Sequence, residues 1–271
     1  MLLVRPETRA QYPNSIFLDR PSGHTEVSVH VDTKFTGNVD VLWVAVKTHQ
    51  LVTAIDTIQS GNLGIATIIP LLNGIEHVAL LRARFGNATV VPGTIAVEAE
   101  RTSPSHIIQR SPFVRLALSA AGERRLEGID AKFRHFGFTC EFHSDEMSML
   151  WSKLAFLAPF ALASTAADKN IGEIRGDRKW DAQLESAVGE ACDVAGADGA
   201  TVSREQILTT LKSLPATMRS SMQKDVAAGR TSEVDAIGGA IVRAGRRFGI
   251  DVPTTRKLIA NIEERASNHL Q

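Results

Sequence analysis

Val41–Val46 (VLWVAV) and Ile68–Leu72 (IIPLL) are two short apolar runs that decide the fold class of this chain. Their length and their β-branched residues predict two buried parallel strands. Lys47 directly follows the first run, and Asn73 directly follows the second. In an open α/β sheet, ligands bind outside the carboxyl ends of the strands. The two polar residues therefore predict a site, although a surface lysine and a turn-forming Asn-Gly pair give the same pattern.

The composition is that of a globular protein. The 271 residues are 44% hydrophobic, enough for one large domain or two ordinary ones. Thirty basic and thirty acidic side chains cancel, which argues against nucleic acid or an anionic membrane surface as a partner. We find no apolar run of the ~18 residues that a membrane span needs, and no signal peptide. Cys140 and Cys192 have no CxxC spacing, so we expect reduced thiols and a cytoplasmic protein.

The hydrophobic periodicity changes near residue 144. Before this point strands alternate with helices, and the pattern predicts one strand around Val27–Val31 and a hairpin of Ile107–Ile108 with Val114–Leu118. After this point the pattern is helical almost to the end of the chain. Strand–helix alternation followed by a run of helices predicts two domains, residues 1–144 and 145–271.

Three side chains in the helical half are candidates for chemistry. Lys153 lies in the most apolar predicted helix, Met149–Ala163, where burial would lower its pKa and suit it to act as a general acid. A lysine at the edge of the helix fits the same pattern. Glu233 opens a predicted helix and Ser221 lies in another, and both are compatible with purely structural positions. The histidines have no metal-ligand spacing, so we predict no metal site.

Five motifs, in a fixed order, give the chain a resemblance to a known family. They are Val44–Lys47 (VAVK), Pro70–Ile75 (PLLNGI), Leu150–Leu154 (LWSKL), Ser220–Asp225 (SSMQKD) and Glu233–Ile241 (EVDAIGGAI). The chain resembles the ketopantoate reductases (2-dehydropantoate 2-reductases) from its first residues to its last helix. The resemblance implies an α/β Rossmann-type domain and then an all-α domain of the 6-phosphogluconate dehydrogenase C-terminal type. It also implies NADPH-dependent reduction of 2-dehydropantoate to (R)-pantoate in pantothenate biosynthesis, by an enzyme that can form a homodimer.

The resemblance further implies roles for individual residues. Lys153 matches the catalytic lysine, which protonates the carbonyl oxygen as hydride arrives from the nicotinamide, and Glu233 matches a glutamate near that lysine and the cofactor. Asn73 matches an asparagine that touches cofactor and substrate, and Ser221 matches a serine that holds the substrate carboxylate. The remaining matches are on the cofactor side: Arg5, Lys47 and Ala99. A basic residue that follows the second Rossmann strand, as Arg5 does, meets the 2′-phosphate of NADPH.

The chain departs from the family pattern in two respects. It has no GxGxxG turn and starts within the equivalent of the second Rossmann strand, so we expect a truncated N-terminus and weak NADPH binding. Leu157 and Ala161, four and eight residues after Lys153, replace family asparagines, and Ile171 stands in a third asparagine position. Because losing hydrogen-bonding groups relaxes or redirects substrate choice, we expect a substrate less polar than ketopantoate.

Two alternative functions stay open on this evidence. One is a catalytically impaired fragment or paralogue, because the sequence lacks the cofactor loop. The other is a related oxidoreductase of the opine-dehydrogenase type, which condenses a keto acid with an amine. DNA upstream of Met1 that encodes a strand ending in GxGxxG would argue against the first alternative. Oxidation of NADPH without an added amine would argue against the second.

Overall fold

The chain forms two compact units. The computed structural model describes residues 1–35, 38–58, 66–86 and 90–268. The first unit consists of Met1–Val46, Gln50–Leu71 and Leu80–Ser144, and the second consists of Lys47–His49, Leu72–Ala79 and Asp145–Gln271. The second unit thus includes two short segments from the first half of the chain, and these segments carry Lys47 and Asn73.

The first unit is built mainly from β-strands. The strands are β1 Leu2–Leu3, β2 Ser15–Arg20, β3 Gly23–Ser28, β4 Val31–Asp32, β5 Val41–Val44, β6 Thr67–Pro70, β7 Gly93–Ala96, β8 Ala99–Ser103, β9 His106–Gln109, β10 Val114–Ser119 and β11 Phe138–His143. The helices in the same half of the chain are α1 Leu51–Asp56, α2 His77–Phe85 and α3 Ile129–His135. β1 pairs with β4, and β5 pairs with β6, both in parallel.

The two strands from which the fold was predicted pair as expected. Val41 lies opposite Thr67 and Val44 lies opposite Pro70, in a parallel register. β6 is buried along its whole length, and Val90 bridges to it at Ile68. The prediction of a buried strand is wrong for most of β5, in which only Val44 is buried. Within the described residues β5 pairs with β6 alone, and a strand at an edge is covered on one side only.

Two further predictions in the first unit are wrong. The alternating stretch at 27–31 is not one strand, because β3 ends at Ser28 after forming an antiparallel hairpin with β2. The predicted hairpin of β9 with β10 does not form either. β9 pairs with β2 and β8, and β10 pairs with β7 and β11. The segment between them is tied to Glu98, whose carbonyl oxygen accepts a hydrogen bond from the Arg110 N–H at 2.7 Å. β9 thus forms its hairpin with the preceding β8 instead of with β10, and its other edge pairs with the distant β2.

The second unit is helical after Ser144, as predicted. Its helices are α4 Glu146–Ala167, α5 Ile171–Gly176, α6 Arg178–Ala197, α7 Arg204–Ser213, α8 Ser221–Ala227, α9 Ala240–Phe248 and α10 Pro253–Asn268. α4 is the core helix, with Trp151, Leu154 and Leu162 at 2% exposure or less. By length and composition α4 could cross a membrane, contrary to the sequence-based expectation. Because 67% of its most apolar window is buried inside the protein, it is a core helix instead.

A π-helical turn interrupts the helix predicted after Glu233. Asp235–Gly239 forms this turn immediately before α9. Gly238 lets it pack closely, since a Cβ atom at this position would lie 3.0 Å from side-chain atoms of Leu162 in α4 and Ile259 in α10. π-turns are rare and are frequently found at functional sites. This one starts two residues after a predicted site residue.

Candidate active site

Glu233 is the centre of a buried polar cluster within the second unit. Its side chain is only 4% exposed. One carboxylate oxygen accepts hydrogen bonds from the backbone N–H of Thr48 at 3.1 Å and from Thr48 Oγ1 at 3.2 Å. The other accepts from Lys47 Nζ at 3.3 Å and from Asn73 Nδ2 at 3.1 Å. A carboxylate can be buried when donors satisfy its lone pairs, and four donors do so here.

The donors to Glu233 come from the chain segments that follow β5 and β6. Lys47 and Thr48 lie just beyond the end of β5, and Asn73 lies just beyond the end of β6. Thr48 Oγ1 is also 3.2 Å from the carbonyl oxygen of Asn73, so its single hydrogen is shared between this oxygen and Glu233, which links the two segments. The structure therefore brings together Lys47, Asn73 and Glu233. Thr48 was missed by the sequence analysis, and its position next to Lys47 was the only available signal.

Lys47 is bound to two carboxylates. Its ammonium lies 2.7 Å from Asp225 Oδ2 and 3.3 Å from Glu233 Oε2. Burial disfavours the charge, but the hydrogen bonds and charges of the two carboxylates outweigh it and raise the pKa of Lys47. Arg230 donates to the other oxygen of Asp225 at 2.9 Å. Asp225 lies in the SSMQKD motif, but the sequence analysis gave it no role.

Lys153, in contrast, has no direct partner. It lies in α4, it is half-buried, and its ammonium makes no hydrogen bond or ion pair among the residues that the structure describes. Burial lowers the pKa of Lys153 to about 8, and the negative charge of Glu233 partly opposes this effect. A lysine of this kind is charged at neutral pH and has three N–H donors available. It can therefore donate a proton or stabilise a developing negative charge.

The loop after Asn73 is held against the π-helical turn. Gly74 has φ of +83°, and a Cβ atom at this position would lie 2.4 Å from the carbonyl oxygen of Ala236. Only glycine fits such a backbone and such a close approach. Two residues later, Glu76 forms a bidentate ion pair with Arg243 of α9, at 2.8 and 2.6 Å. The segment from Gly74 to Glu76 therefore contacts the second unit's helices at both of its ends.

His77 follows this segment and is buried in the second unit. It is 3% exposed, and neither ring nitrogen has a hydrogen-bond partner among the described residues. Burial and, to a lesser extent, the positive charge of Lys153 lower the pKa of His77 to about 4, while the negative charge of Glu233 opposes them. The imidazole is therefore neutral at physiological pH. The sequence analysis treated the histidines as scattered, because no spacing pattern marks this one.

Ser221, Leu157 and Ala161 have simpler surroundings. Ser221 is the exposed first residue of α8, and no hydrogen bond joins it to Glu233 or Lys153 among the described residues. Leu157 is partly buried and Ala161 is 1% exposed. Their spacing from Lys153, four and eight residues, puts all three on one face of α4.

Arg5 and Ala99 belong to the first unit. Arg5 precedes a short 3₁₀ helix, and its exposed guanidinium lies 3.5 Å from the Glu7 carboxylate. Ala99 is the exposed first residue of β8 and lies opposite Gln109 of β9. The roles of both residues stay predictions.

Both halves of the chain match models of one protein family. Residues 2–121 match the model described as ketopantoate reductase PanE/ApbA, and residues 145–266 match the model of the ketopantoate reductase PanE/ApbA C terminal. The chain is also 27% identical over 259 residues to a 2-dehydropantoate 2-reductase of Caulobacter vibrioides. This match covers 91% of the chain and 85% of the relative.

Solved structures share the fold. A PanE/ApbA family ketopantoate reductase from Ralstonia eutropha JMP134 has a TM-score of 0.85 and 22% identity, and the match covers 100% of this chain and 91% of that one. D-mandelate dehydrogenase, solved with NADH and anilino(oxo)acetate, has a TM-score of 0.84 and 18% identity, with coverage of 93% and 85%. At these identities the likeness establishes the fold alone.

Proposed function

The chain belongs to the ketopantoate reductase family, a family of oxidoreductases, and on that premise we propose that it reduces a 2-keto acid to a 2-hydroxy acid with NADPH. The observation that carries this proposal is the pair of Lys153 and Glu233. A lysine with a pKa of about 8 and no bonded partner among the described residues lies near a buried, fully hydrogen-bonded carboxylate. The name of the Caulobacter relative favours 2-dehydropantoate as the substrate and pantothenate biosynthesis as the pathway.

Lys153 is the general acid in this proposal. A bound nicotinamide cofactor supplies the hydride that adds to the carbonyl carbon. Lys153 transfers a proton from Nζ to the carbonyl oxygen, which becomes the hydroxyl of the product, and the resulting amine then takes up a proton from water. With a pKa of about 8, Lys153 is charged at neutral pH yet gives up its proton more readily than an exposed lysine. Its charge also stabilises the negative charge that develops on the oxygen.

Glu233 supports the chemistry of Lys153 in two ways. Its negative charge partly opposes the effect of burial and so raises the pKa of Lys153. Its hydrogen bond to Asn73 also fixes that amide, which retains one N–H and its carbonyl oxygen for substrate and cofactor. A binding group that is held by neighbouring hydrogen bonds loses less freedom when the ligand arrives. Ser221, exposed at the start of α8, offers its hydroxyl to the substrate carboxylate.

The cofactor-binding residues in this proposal are Lys47 in the second unit and Arg5 and Ala99 in the first. The Arg5 guanidinium fits a phosphate, because it is exposed and its ion pair with Glu7 is a surface pair that a phosphate can replace. Lys47 keeps one N–H beyond those given to its two carboxylates, and its side chain is 37% exposed. The sequence contains no GxGxxG motif, so we assign no residue to the pyrophosphate.

The first experiment replaces the proposed general acid. Lys153→Met keeps an unbranched side chain in α4 and removes the proton donor. We expect kcat for NADPH-dependent reduction of ketopantoate to fall by about 10²- to 10⁴-fold, the range for loss of a general acid, while NADPH affinity is kept. Lys257→Met, at an exposed position in α10, is the matched control. Normal turnover of Lys153→Met would show that another residue delivers the proton.

The same assay decides the cofactor and the reaction class. We expect the wild-type chain to oxidise NADPH in preference to NADH, with ketopantoate as the only other reactant. A preference for NADH would refute the cofactor assignment. A requirement for an added amine would identify an opine-type condensation, and no turnover with either cofactor and several 2-keto acids would identify an impaired paralogue or fragment.

A further inference from the structure

His77 is a buried polar side chain whose hydrogen-bonding capacity is unused. It is 3% exposed, and both ring nitrogens lack a partner among the described residues. Buried polar groups in native proteins nearly always have a partner, and an exception calls for a specific explanation. A neutral imidazole has one donor and one acceptor to offer. A ligand that supplies the missing partner is such an explanation.

The backbone around His77 keeps the ring in its buried position. Gly74 packs against the carbonyl of Ala236, and Glu76 is paired with Arg243. His77 is the next residue and starts α2. These contacts hold the backbone that leads into His77. His77 thus follows directly on the anchored loop that carries Asn73.

His77 also lies close to the residues proposed to act on the substrate. His77 lies four residues after Asn73, whose side-chain amide donates a hydrogen bond to Glu233 at 3.1 Å. The charges of Lys153 and Glu233 also act on the pKa of His77. The oxygens of Glu233 are already occupied by four donors. On the face of α4 that carries Lys153, the next two positions are apolar, Leu157 and Ala161. A substrate with a polar group besides its reacting carbonyl and its carboxylate needs a hydrogen-bond partner for that group. His77 is a neutral side chain whose hydrogen-bonding groups are uncommitted among the described residues.

We propose that His77 is a specificity-determining residue that hydrogen-bonds a hydroxyl group on the side chain of the 2-keto acid. This inference rests on the proposed reductase function. Leu157 and Ala161 alone led us to expect a substrate less polar than ketopantoate. His77 changes this expectation, because it supplies a hydrogen-bonding group from α2 in place of the groups missing from α4. The substrate class is a 2-keto acid that carries a hydroxyl group, as ketopantoate does.

Two substrates that differ by one hydroxyl group test this proposal. Trimethylpyruvate has the carbon skeleton of ketopantoate and lacks only its hydroxyl. We expect His77→Leu to lower kcat/KM for ketopantoate by about ten- to a hundredfold, the effect of one lost hydrogen bond to a buried group, and to change kcat/KM for trimethylpyruvate less than threefold. His77→Gln, which keeps a donor and an acceptor, should recover much of the loss. His135→Leu, at an exposed histidine, is the control.

Each other outcome contradicts the assignment. An equal loss with both substrates would mean that His77 acts on the reacting end or on Lys153. No loss with either substrate would mean that it has no part in binding. If the wild type reduces neither substrate, the reductase function itself fails. A thermal melt excludes misfolding, since removing an unpaired imidazole breaks no hydrogen bond and should not lower Tm.

Discussion

Glu233→Gln measures how strongly the polar cluster depends on a carboxylate. Four hydrogen bonds reach this side chain, two at each oxygen, and all come from donor groups. Glutamine has one acceptor oxygen, and its amide nitrogen carries donors of its own. Whichever way the amide is turned, its NH₂ group faces two of the four donor groups that now bind Glu233, and donors do not bind donors. Two hydrogen bonds are therefore lost or weakened.

The magnitude follows from the kind of bond that is lost. A hydrogen bond to a charged group contributes about 1.5–3 kcal/mol, so losing two costs about 3–6 kcal/mol. Losing the hydrogen bond from Lys47 costs less free energy than losing one of the others, because the Lys47 side chain is 37% exposed and keeps its ion pair with Asp225. We therefore expect the variant to lower the free energy of unfolding of the second unit by about 3 kcal/mol, the low end of this range.

Urea unfolding followed by tryptophan fluorescence measures this loss. Trp151 is fully buried in α4, in the same unit as Glu233, whereas Trp43 lies in β5 of the first unit. A chain with two units can unfold in two steps, so the transition to follow is the one that exposes Trp151. Glu127→Gln, at an exposed position, is the control. A change of less than about 0.5 kcal/mol would refute the view that these bonds hold the cluster together.

Three further predictions concern the pH profile, the loop and the cofactor. Because Lys153 acts in its charged form, kcat/KM for reduction should fall as pH rises through about 8, and Glu233→Gln, which removes the charge that raises this pKa, should move the fall to lower pH. An unmoved pH profile would contradict this coupling. Gly74→Ala should lower Tm more than Gly137→Ala, because both have positive φ but only Gly74 is in close contact with other atoms; equal losses would contradict the close packing of Gly74 against the Ala236 carbonyl. Arg5→Ala should raise KM for NADPH and leave KM for NADH unchanged, and equal changes would remove Arg5 from the phosphate site.

The elements that the sequence predicts well are those in which local pattern and burial agree. α4 is apolar on most sides and is buried on most sides. α10 begins at Pro253, and proline is a sequence signal for the first turn of a helix. The parallel pairing of β5 with β6 follows from two apolar runs separated by a helix.

The elements that the sequence does not predict depend on distant partners. β9 forms its hairpin with β8, which precedes it, and not with β10, and its other edge pairs with β2, far away in the chain. The hydrogen bonds to Glu233 join residues 160 to 186 positions apart, so no local pattern encodes them. Family resemblance nevertheless named Lys47, Asn73 and Glu233 as neighbours of one site. It did not name His77, because its burial and the lack of a hydrogen-bond partner for its nitrogens among the described residues appear only in the structure.

Two lysines lie near the same carboxylate, and their surroundings push their pKa values apart. Lys47 is bound directly to Asp225 and Glu233, which raises its pKa and keeps it charged. Lys153 feels Glu233 only from a distance, and burial lowers its pKa to about 8. Groups with divergent pKa values in one site take different roles. We therefore assign binding to Lys47 and proton transfer to Lys153. The position of Lys47 after a strand had predicted a site, but it had not distinguished these two roles.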